Sequence, residues 1–151
     1  MIQLARPQDM NEVIRLSRQI HELHVHWRPD IYEPTEERFS RELYDQLIQS
    51  RELYVAVVED RVVGYVLMKF RKAGQPGIVP RNILSISEFC VDERFQCFGI
   101  GTQMLNEVKI LAKAFGCTDL ELNVYPQNDV AISFYQKNGL TIQNIKMQTK
   151  L

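Results

Sequence analysis

The chain has few cysteines, which excludes two common ways of stabilising a small fold. Cys90, Cys97 and Cys117 are the only three in 151 residues, and they form no C-x-x-C pair. A disulfide framework or a zinc site of the finger type is therefore not expected. Among His21, His24 and His26 only the first two share a helical face, and no fourth ligand is apparent, so we predict no metal site. Reduced thiols are typical of a cytoplasmic protein, which is the location that we expect.

An excess of charge and long apolar runs are also missing. Eighteen basic and nineteen acidic side chains give a formal net charge of -1, which gives no overall attraction for nucleic acid or an anionic membrane. The most apolar runs, such as Leu53–Val58, are far shorter than the roughly 20 residues of a membrane span. The N-terminus also lacks the apolar core of a secretory signal. We therefore predict a soluble protein with neither a nucleic acid nor a membrane as partner.

The composition that remains is that of one globular domain covering residues 1–151. Hydrophobic residues make up 45% and charged residues 25% of the chain, far from the composition of disordered proteins. A chain of this length can bury a single core without disulfides or metals.

Two amphipathic helices are predicted near the start of the chain. Asp9 and Glu12 form a capping-box pattern, and the apolar residues that follow recur at helical spacing, which predicts a helix over residues 10–24. Thr35, followed by two glutamates, predicts the start of a second helix whose apolar face extends to Ile48. The segment between the two helices, HVHWRPDIYEP, is too aromatic for a simple linker.

A β-rich region follows the helices. The runs at 53–58 and 62–70 predict an antiparallel hairpin, and Gly64 in the second run indicates a bulge. Two glycines and two prolines predict a loop over residues 72–82, and a strand is expected over 83–91.

Helices and strands alternate in the rest of the chain. A helix from Ile100 ends at Gly116, and strict polar and apolar alternation predicts a half-covered strand over 119–124. A short helix through Tyr135 and a last strand over 140–147 complete the order α-α-β-β-β-α-β-α-β, to which a short N-terminal strand can be added. This order predicts an α/β (α+β) fold, with helices flanking a mixed, mostly antiparallel sheet.

The segment RFQCFGIGTQML joins a strand to a helix through two glycines. A strand, a glycine turn and a helix N-terminus together present unpaired backbone N–H groups to an anion such as phosphate or pyrophosphate. A Walker A loop would need a lysine after Gly101, where this chain has Thr102. A dinucleotide-binding fingerprint would need a third glycine where the chain has Met104, although Asp119 lies twenty residues after Gly99, as that motif requires. A lone G-x-G is weak evidence, because glycines also occur in ordinary turns.

A wider pattern resembles the GNAT superfamily of N-acetyltransferases. The run QCFGIG is similar to the Q/R-x-x-G-x-G/A turn of that family, and residues 123–140 resemble its downstream motif, which ends A-x-x-F-Y-x-K-x-G-F/L. Cys97 stands where the family often has glycine. The two motifs and the element order together cover nearly the whole chain.

The resemblance implies acetyl-CoA as the acyl donor. The pantetheine arm would run beside the end of the first motif's strand, where the strand over 119–124 diverges from it. Asn128 would contact the cofactor, or it would only cap the following helix. The implied cofactor-binding residues are Cys90, Val91, Gln96, Cys97, Phe98, Gly99, Ile100, Gly101, Thr102 and Asn128.

Two residues are candidates for proton transfer in the implied reaction. Glu88 precedes the glycine turn and could accept the ammonium proton, or it could be an ion-paired strand glutamate. Backbone N–H groups near Cys90 could polarise the thioester carbonyl. By resemblance, Tyr135 is the general acid for the CoA thiolate, with simple aromatic packing as the alternative. Cys97 is not needed as a nucleophile in direct transfer.

The acceptor pocket is expected to form from the first two helices and their connection. Candidate acceptor contacts are His24, His26, Trp27, Asp30 and Tyr32. Aromatic faces and a carboxylate suit a cation, although a capped surface loop would have similar residues. The resemblance implies direct acetyl transfer to a primary amine of a small molecule or peptide, and a homodimer formed through an exposed C-terminal strand edge. A non-catalytic acyl-CoA sensor and a dinucleotide-binding oxidoreductase are the alternatives.

Overall fold

The computed structural model describes residues 1–151, and at its centre is one five-stranded sheet in the order β1-β2-β3-β4-β5. The strands are β1 (Ile2–Leu4), β2 (Leu53–Val58), β3 (Arg61–Ala73), β4 (Arg81–Val91) and β5 (Asp119–Leu122). Neighbouring strands are antiparallel except for β4 and β5, which are parallel. The predicted mixed, mostly antiparallel sheet is confirmed, and so is the short N-terminal strand.

Four helices flank this sheet. They are α1 (Met10–Trp27), α2 (Arg41–Gln49), α3 (Ile100–Ala114) and α4 (Asp129–Lys137). Short 3-10 turns at Pro7–Asp9 and Glu93–Phe95 precede α1 and α3. None of the helices combines the length and the apolar character needed to cross a bilayer.

Alternate residues of the strands face two different helical layers. Val55 and Tyr65 are buried with residues of α1 and α2, whereas Tyr54 and Val66 are buried with residues of α3. Because side chains alternate along a strand, the three central strands β2, β3 and β4 contribute to both hydrophobic cores. The sheet is therefore the middle layer of an α/β sandwich.

The second helix begins later than the sequence predicted. Its N-cap is Ser40, whose hydroxyl accepts a hydrogen bond from the Leu43 N–H at 3.2 Å, so the predicted start at Thr35 is wrong. A start at Ser40 places Phe39 just before the cap, where it is buried in the same cluster as Tyr44, four residues into the helix. This arrangement of apolar residues is a hydrophobic staple, and it favours the later start.

The first helix, in contrast, is longer than predicted and continues to Trp27. It ends where the Arg28 N–H donates to the His24 carbonyl at 2.8 Å, directly before Pro29. Proline disfavours helical geometry in the residue that precedes it, which explains the end point. His24 and Trp27 therefore lie on the last turn of α1 and not in a loop.

Bulges interrupt both long ladders of the sheet. Ala56 pairs with Gly64 and Val57 with Val62, which leaves Val63 as an extra residue and confirms the bulge predicted beside Gly64. In the next ladder Leu67 pairs with Glu88 and Met68 with Ile86, so Ser87 is an extra residue in β4. A bulge re-aims the side chains beside it, and this one directly precedes Glu88.

The predicted last strand is absent. Residues 140–151 form no regular element, and Ile142, Ile145 and Met147 are exposed. Ile142 and Ile145 are three residues apart, so they could not share one face of a strand, and no neighbouring strand forms a ladder with this segment. The proposed route to a homodimer through a C-terminal strand edge therefore has no strand to support it.

Candidate functional site

The glycine turn adopts the backbone conformation that its sequence indicates. Gly99 is the N-cap of α3 with φ of 80°, and Cys97 also has a positive φ, of 64°. Space around Gly99 is open, so glycine is required there by conformation and not by packing. The side chain of Gln96 donates to the Val91 carbonyl at 3.1 Å and ties the turn to the end of β4.

Gly101 has a different reason to be glycine. A Cβ at this position would lie 3.3 Å from Cε2 of Phe134 and 3.6 Å from Cγ2 of Val91. The absence of a side chain thus lets the first turn of α3 approach α4 and the end of β4 closely.

The turn presents a row of free hydrogen-bond donors. None of the backbone N–H groups of residues 97–102 donates to another group of the protein. They stand at the N-terminus of the 15-residue helix α3, whose first turn contains no acidic side chain. The partial positive charge of a helix N-terminus adds to these donors, so the turn is suited to bind an anionic oxygen cluster.

Next to the turn, β4 and β5 separate. Their parallel ladder runs only from Ile83 opposite Asp119 to Ile86 opposite Leu122. Beyond the Ser87 bulge, β4 continues to Val91 and is paired only with β3. The divergence predicted for these strands is present, and it exposes one edge of β4 over residues 87–91.

Residues of β4 at this edge face both sides of the sheet. Glu88 contacts Arg38 and Tyr65, and Cys90 is buried against α1, with its Sγ 3.6 Å from the Leu16 carbonyl. Phe89 lies on the other side with Tyr135 of α4, at 6.3 Å between ring centroids. Burial, and to a lesser degree Glu88, raises the pKa of Cys90 to about 12, so this thiol stays neutral.

Tyr135 is held by aromatic contacts, and its hydroxyl is free. Its ring packs edge-on against Phe134 at 5.2 Å, and no group of the protein forms a hydrogen bond with its hydroxyl. Burial, with a smaller effect of Cys90, raises the pKa of Tyr135 to about 12. The α4 helix that carries it is capped by Asn128, whose Oδ1 accepts from the Ala131 N–H at 3.1 Å. The capping role of Asn128 is therefore confirmed.

Glu88 is held by two donors from different elements. Arg38 donates from Nη2 to Oε1 at 2.6 Å, and the Tyr65 hydroxyl donates to Oε2. Burial, followed by the charge of Glu88, raises the pKa of Tyr65 well above its usual value. The side chain of Glu88 is 14% exposed. The ion-paired state considered for Glu88 is thus present, although each carboxylate oxygen keeps a second lone pair for another donor.

Four aromatic residues form a cluster near Glu88. His24 stacks on Tyr32 at 5.0 Å and meets Tyr125 edge-on at 5.6 Å, and Trp27 lies 6.0 Å from His24. The hydroxyls of Tyr32 and Tyr125 are hydrogen-bonded at 2.9 Å, which raises the pKa of Tyr32 to about 12. We refer to His24, Trp27, Tyr32 and Tyr125 as the aromatic cluster.

The two remaining predicted acceptor contacts lie apart from the aromatic rings. Asp30 accepts two hydrogen bonds from Arg28, at 2.9 and 2.7 Å, and this interaction lowers the pKa of Asp30 to about 2. Arg28 in turn lies over the Tyr125 ring at 5.8 Å. His26 is exposed on α1, and none of the rings of the aromatic cluster contacts it.

The chain is similar to known acetyltransferases. The family model described as the acetyltransferase (GNAT) family matches residues 18–140. The chain belongs to the GNAT acetyltransferase family. The family resemblance seen in the sequence is confirmed, and the fold of this GNAT chain is the fold expected for the family.

Individual relatives agree with this assignment. The uncharacterized N-acetyltransferase YvbK of Bacillus subtilis is 30% identical over 107 residues, which are 70% of this chain and 63% of that relative. A tetramutant of the BH1408 protein from Bacillus halodurans has 30% identity and a TM-score of 0.94, covering 100% of this chain and 99% of its own. PaiA N-acetyltransferase from Thermoplasma acidophilum, solved with coenzyme A, has 20% identity and a TM-score of 0.76, over 97% of this chain and 92% of that one. The last comparison concerns the fold alone.

Sequence reasoning missed several residues of this GNAT site. The predicted second helix, which starts at Thr35, includes Arg38, and no motif indicates a role for Tyr65 or Tyr125. Tyr125 had a usable signal, because it follows the strand that diverges from β4. Arg38 had none, since its partner Glu88 is fifty residues away in the chain.

Proposed function

We propose that this GNAT acetyltransferase uses acetyl-CoA as donor and transfers the acetyl group directly to a primary amine of a small molecule or peptide. The observation that carries the proposal is the row of unpartnered N–H groups at residues 97–102, directly beside the separated strands β4 and β5. A phosphate-binding turn next to an open strand edge suits a ligand with a pyrophosphate and a long flexible arm.

The cofactor residues fall into two groups. Backbone N–H groups of residues 97–102 would bind the pyrophosphate, whereas the Gln96 N–H donates to the Glu93 carbonyl at 3.4 Å and Gln96 would support the turn. Phe98, which is 78% exposed, would lie at the outer side of the turn. The free edge of β4 at Cys90 and Val91 would hydrogen-bond the pantetheine amides, as a neighbouring strand would. Asn128 remains a candidate cofactor contact in addition to its capping role. When bound, acetyl-CoA supplies the activated acyl group.

Tyr135 is the proposed general acid. Its raised pKa keeps the hydroxyl protonated throughout the neutral range, and no protein group competes for its proton. A protonated, unpartnered hydroxyl beside the β4 edge can donate to the leaving thiolate. Because Tyr135 lies with Phe89 on one side of the sheet and Glu88 lies on the other, acid and base would act from opposite sides of the transferred group.

Glu88 is the proposed base, acting directly or through a water molecule. Arg38 and Tyr65 hold its carboxylate in place but occupy only one lone pair of each oxygen. His24 is the competing candidate, because neither of its ring nitrogens is hydrogen-bonded within the protein. Burial, followed by the charge of Arg38, lowers the pKa of His24, so it is neutral at pH 7.

The acceptor amine would bind at the aromatic cluster. His24, Trp27 and Tyr32 supply aromatic faces, and Glu88 is close enough to His24 to act on its pKa. An ammonium group interacts favourably with such faces. Asp30 is engaged by Arg28, so it would shape this end of the site more than it would attract a cation.

Calorimetric titration with acetyl-CoA, with NAD and ATP as controls, tests the donor. We expect selective binding of acetyl-CoA, followed by release of CoA thiol when amines are added. Binding without turnover of any amine would favour the acyl-CoA sensor. Absence of acetyl-CoA binding would contradict the proposal.

A further inference from the structure

We infer that the acceptor amine also carries a carboxylate, as an α-amino acid or a short peptide does, and that Arg38 binds this carboxylate. The inference rests on the proposed acetyl transfer and specifies its acceptor class. Two observations support it, namely the pairing of the carboxylates near the aromatic cluster and the hydrogen bonding of Arg38.

The two carboxylates that belong to the acceptor end of the site both have a partner. Glu88 is paired with Arg38, and Asp30 with Arg28. The other carboxylates on the last turns of α1 and on the following loop are all solvent-exposed: Glu22, Glu33, Glu36 and Glu37. An acceptor with several positive charges would therefore meet little free negative charge in this pocket.

Arg38 has a donor that the protein does not satisfy. Its Nη2 donates to Glu88, whereas Nη1 is buried and has no hydrogen-bond partner. It is the only buried side-chain nitrogen or oxygen in the structure with this property. A buried charged donor without an acceptor is unfavourable, and a ligand oxygen that accepted its hydrogen bond would remove this cost.

The position of Arg38 suits a ligand with both charges. The planar guanidinium places Nη1 next to Nη2, so an oxygen bound at Nη1 lies beside the carboxylate of Glu88. An α-amino acid has its ammonium and carboxylate on the same carbon atom. It could therefore place the ammonium against Glu88 and the carboxylate against Nη1 at once.

Arg38 also borders the aromatic cluster. Its charge is close enough to lower the pKa of His24 and to act in the same direction on Tyr32, although other effects raise the pKa of Tyr32 overall. Tyr32 belongs to the loop between α1 and α2, and its hydroxyl bonds only to Tyr125.

Matched pairs of acceptors test the inference. CoA release is measured with each standard amino acid and with glycyl-dipeptides, each beside its amide and its decarboxylated amine. Spermidine and kanamycin represent polycations. We expect kcat/KM to be about tenfold to a hundredfold higher for the carboxylate-bearing member, which is the range for one charged hydrogen bond.

Variants assign the effect to Arg38. In Arg38→Gln the two acceptors of each pair should have nearly the same kcat/KM, and Arg38→Lys should restore part of the preference for the carboxylate-bearing acceptor. Arg41→Gln is the matched control, because Arg41 is exposed and pairs with Asp45 on the surface of α2. Thermal melts and acetyl-CoA titration show whether each variant is folded. Titration of the best acceptor into the protein with CoA measures its binding without catalysis.

Several results would overturn the inference. One is an equal kcat/KM for the two acceptors of each pair, and another is faster acetylation of the polycations. A third is a loss of kcat/KM in Arg38→Gln that is the same for both acceptors of a pair. The last is binding of acetyl-CoA without acetylation of any carboxylate-bearing acceptor. If acetyl-CoA binds and only carboxylate-free amines react, this inference fails and the proposed function stands. If acetyl-CoA does not bind, both fail.

Discussion

The hydroxyls of Tyr32 and Tyr125 are 2.9 Å apart, although 93 residues separate them in the chain. Tyr32 lies between α1 and α2, and Tyr125 lies between β5 and α4. Their hydrogen bond therefore connects the predicted acceptor side of the molecule to the segment that leaves the separated strands.

Loss of this hydrogen bond should weaken acceptor binding. In Tyr32→Phe we expect KM for the amine to rise about twofold to tenfold, which is the effect of losing one neutral hydrogen bond. The affinity for acetyl-CoA should be unchanged. Tyr44→Phe is the control, since its hydroxyl bonds the Arg6 carbonyl at 3.0 Å, away from the site. An equal change in KM in both variants would mean that the effect is general destabilisation.

Substitution of Gly99 should weaken acetyl-CoA binding in addition to lowering folding stability. Gly99 and Gly116 both have positive φ, 80° and 72°, and neither has an atom within 4 Å of an added Cβ. Alanine at either position should cost about 1–2 kcal/mol of folding stability through backbone strain. Only Gly99→Ala should also weaken acetyl-CoA binding, measured by calorimetry. Equal affinities in the two variants would contradict the phosphate-binding role of the turn.

Replacement of Tyr135 tests the general acid. Tyr135→Phe keeps the ring contacts with Phe89 and Phe134 and removes only the hydroxyl. We expect kcat to fall about a hundredfold, with little change in the dissociation constant of acetyl-CoA. An unchanged kcat would assign Tyr135 to packing. The pKa of about 12 also predicts no loss of activity from its ionisation at pH 9.

The pH dependence of kcat/KM distinguishes the two candidate bases. A base is active when deprotonated, so activity should rise with pH through its pKa. We expect Glu88→Gln to flatten this rise, and His24→Gln to leave it while raising KM for the amine. For His24 the midpoint would lie below 6.5, since its pKa is lowered. His26→Gln, at an exposed position of the same helix, is the control. If His24→Gln removes the rise of kcat/KM with pH and His26→Gln does not, His24 is the general base.

Local features of the fold could be predicted from the sequence, and those that depend on distant partners could not. Gly99 was placed in the turn before α3 and Gly116 at its end, because a positive φ depends on the residue and its immediate neighbours. The start of α2 was wrong because Thr35 and Ser40 are both suitable caps, and the burial of Phe39 with Tyr44 favours Ser40.

The candidate site shows the same limit. Tyr135 was predicted from a motif and Glu88 from its position before the glycine turn, but the partners that hold Glu88 come from a loop and from another strand. The predicted last strand over 140–147 is rich in apolar residues, yet a strand exists only when another backbone pairs with it.

Different segments of the chain form the two proposed sides of the site, on either side of the separation of β4 and β5. Residues from the end of β4 to α4 form the proposed donor side, and the proposed acceptor side comes largely from α1 and the loop that follows it. Substitutions over residues 28–40 can therefore alter which amine is accepted while the turn at 96–102 keeps its geometry. New acceptor specificities can arise in such a chain by the divergence of one short loop, without loss of the donor.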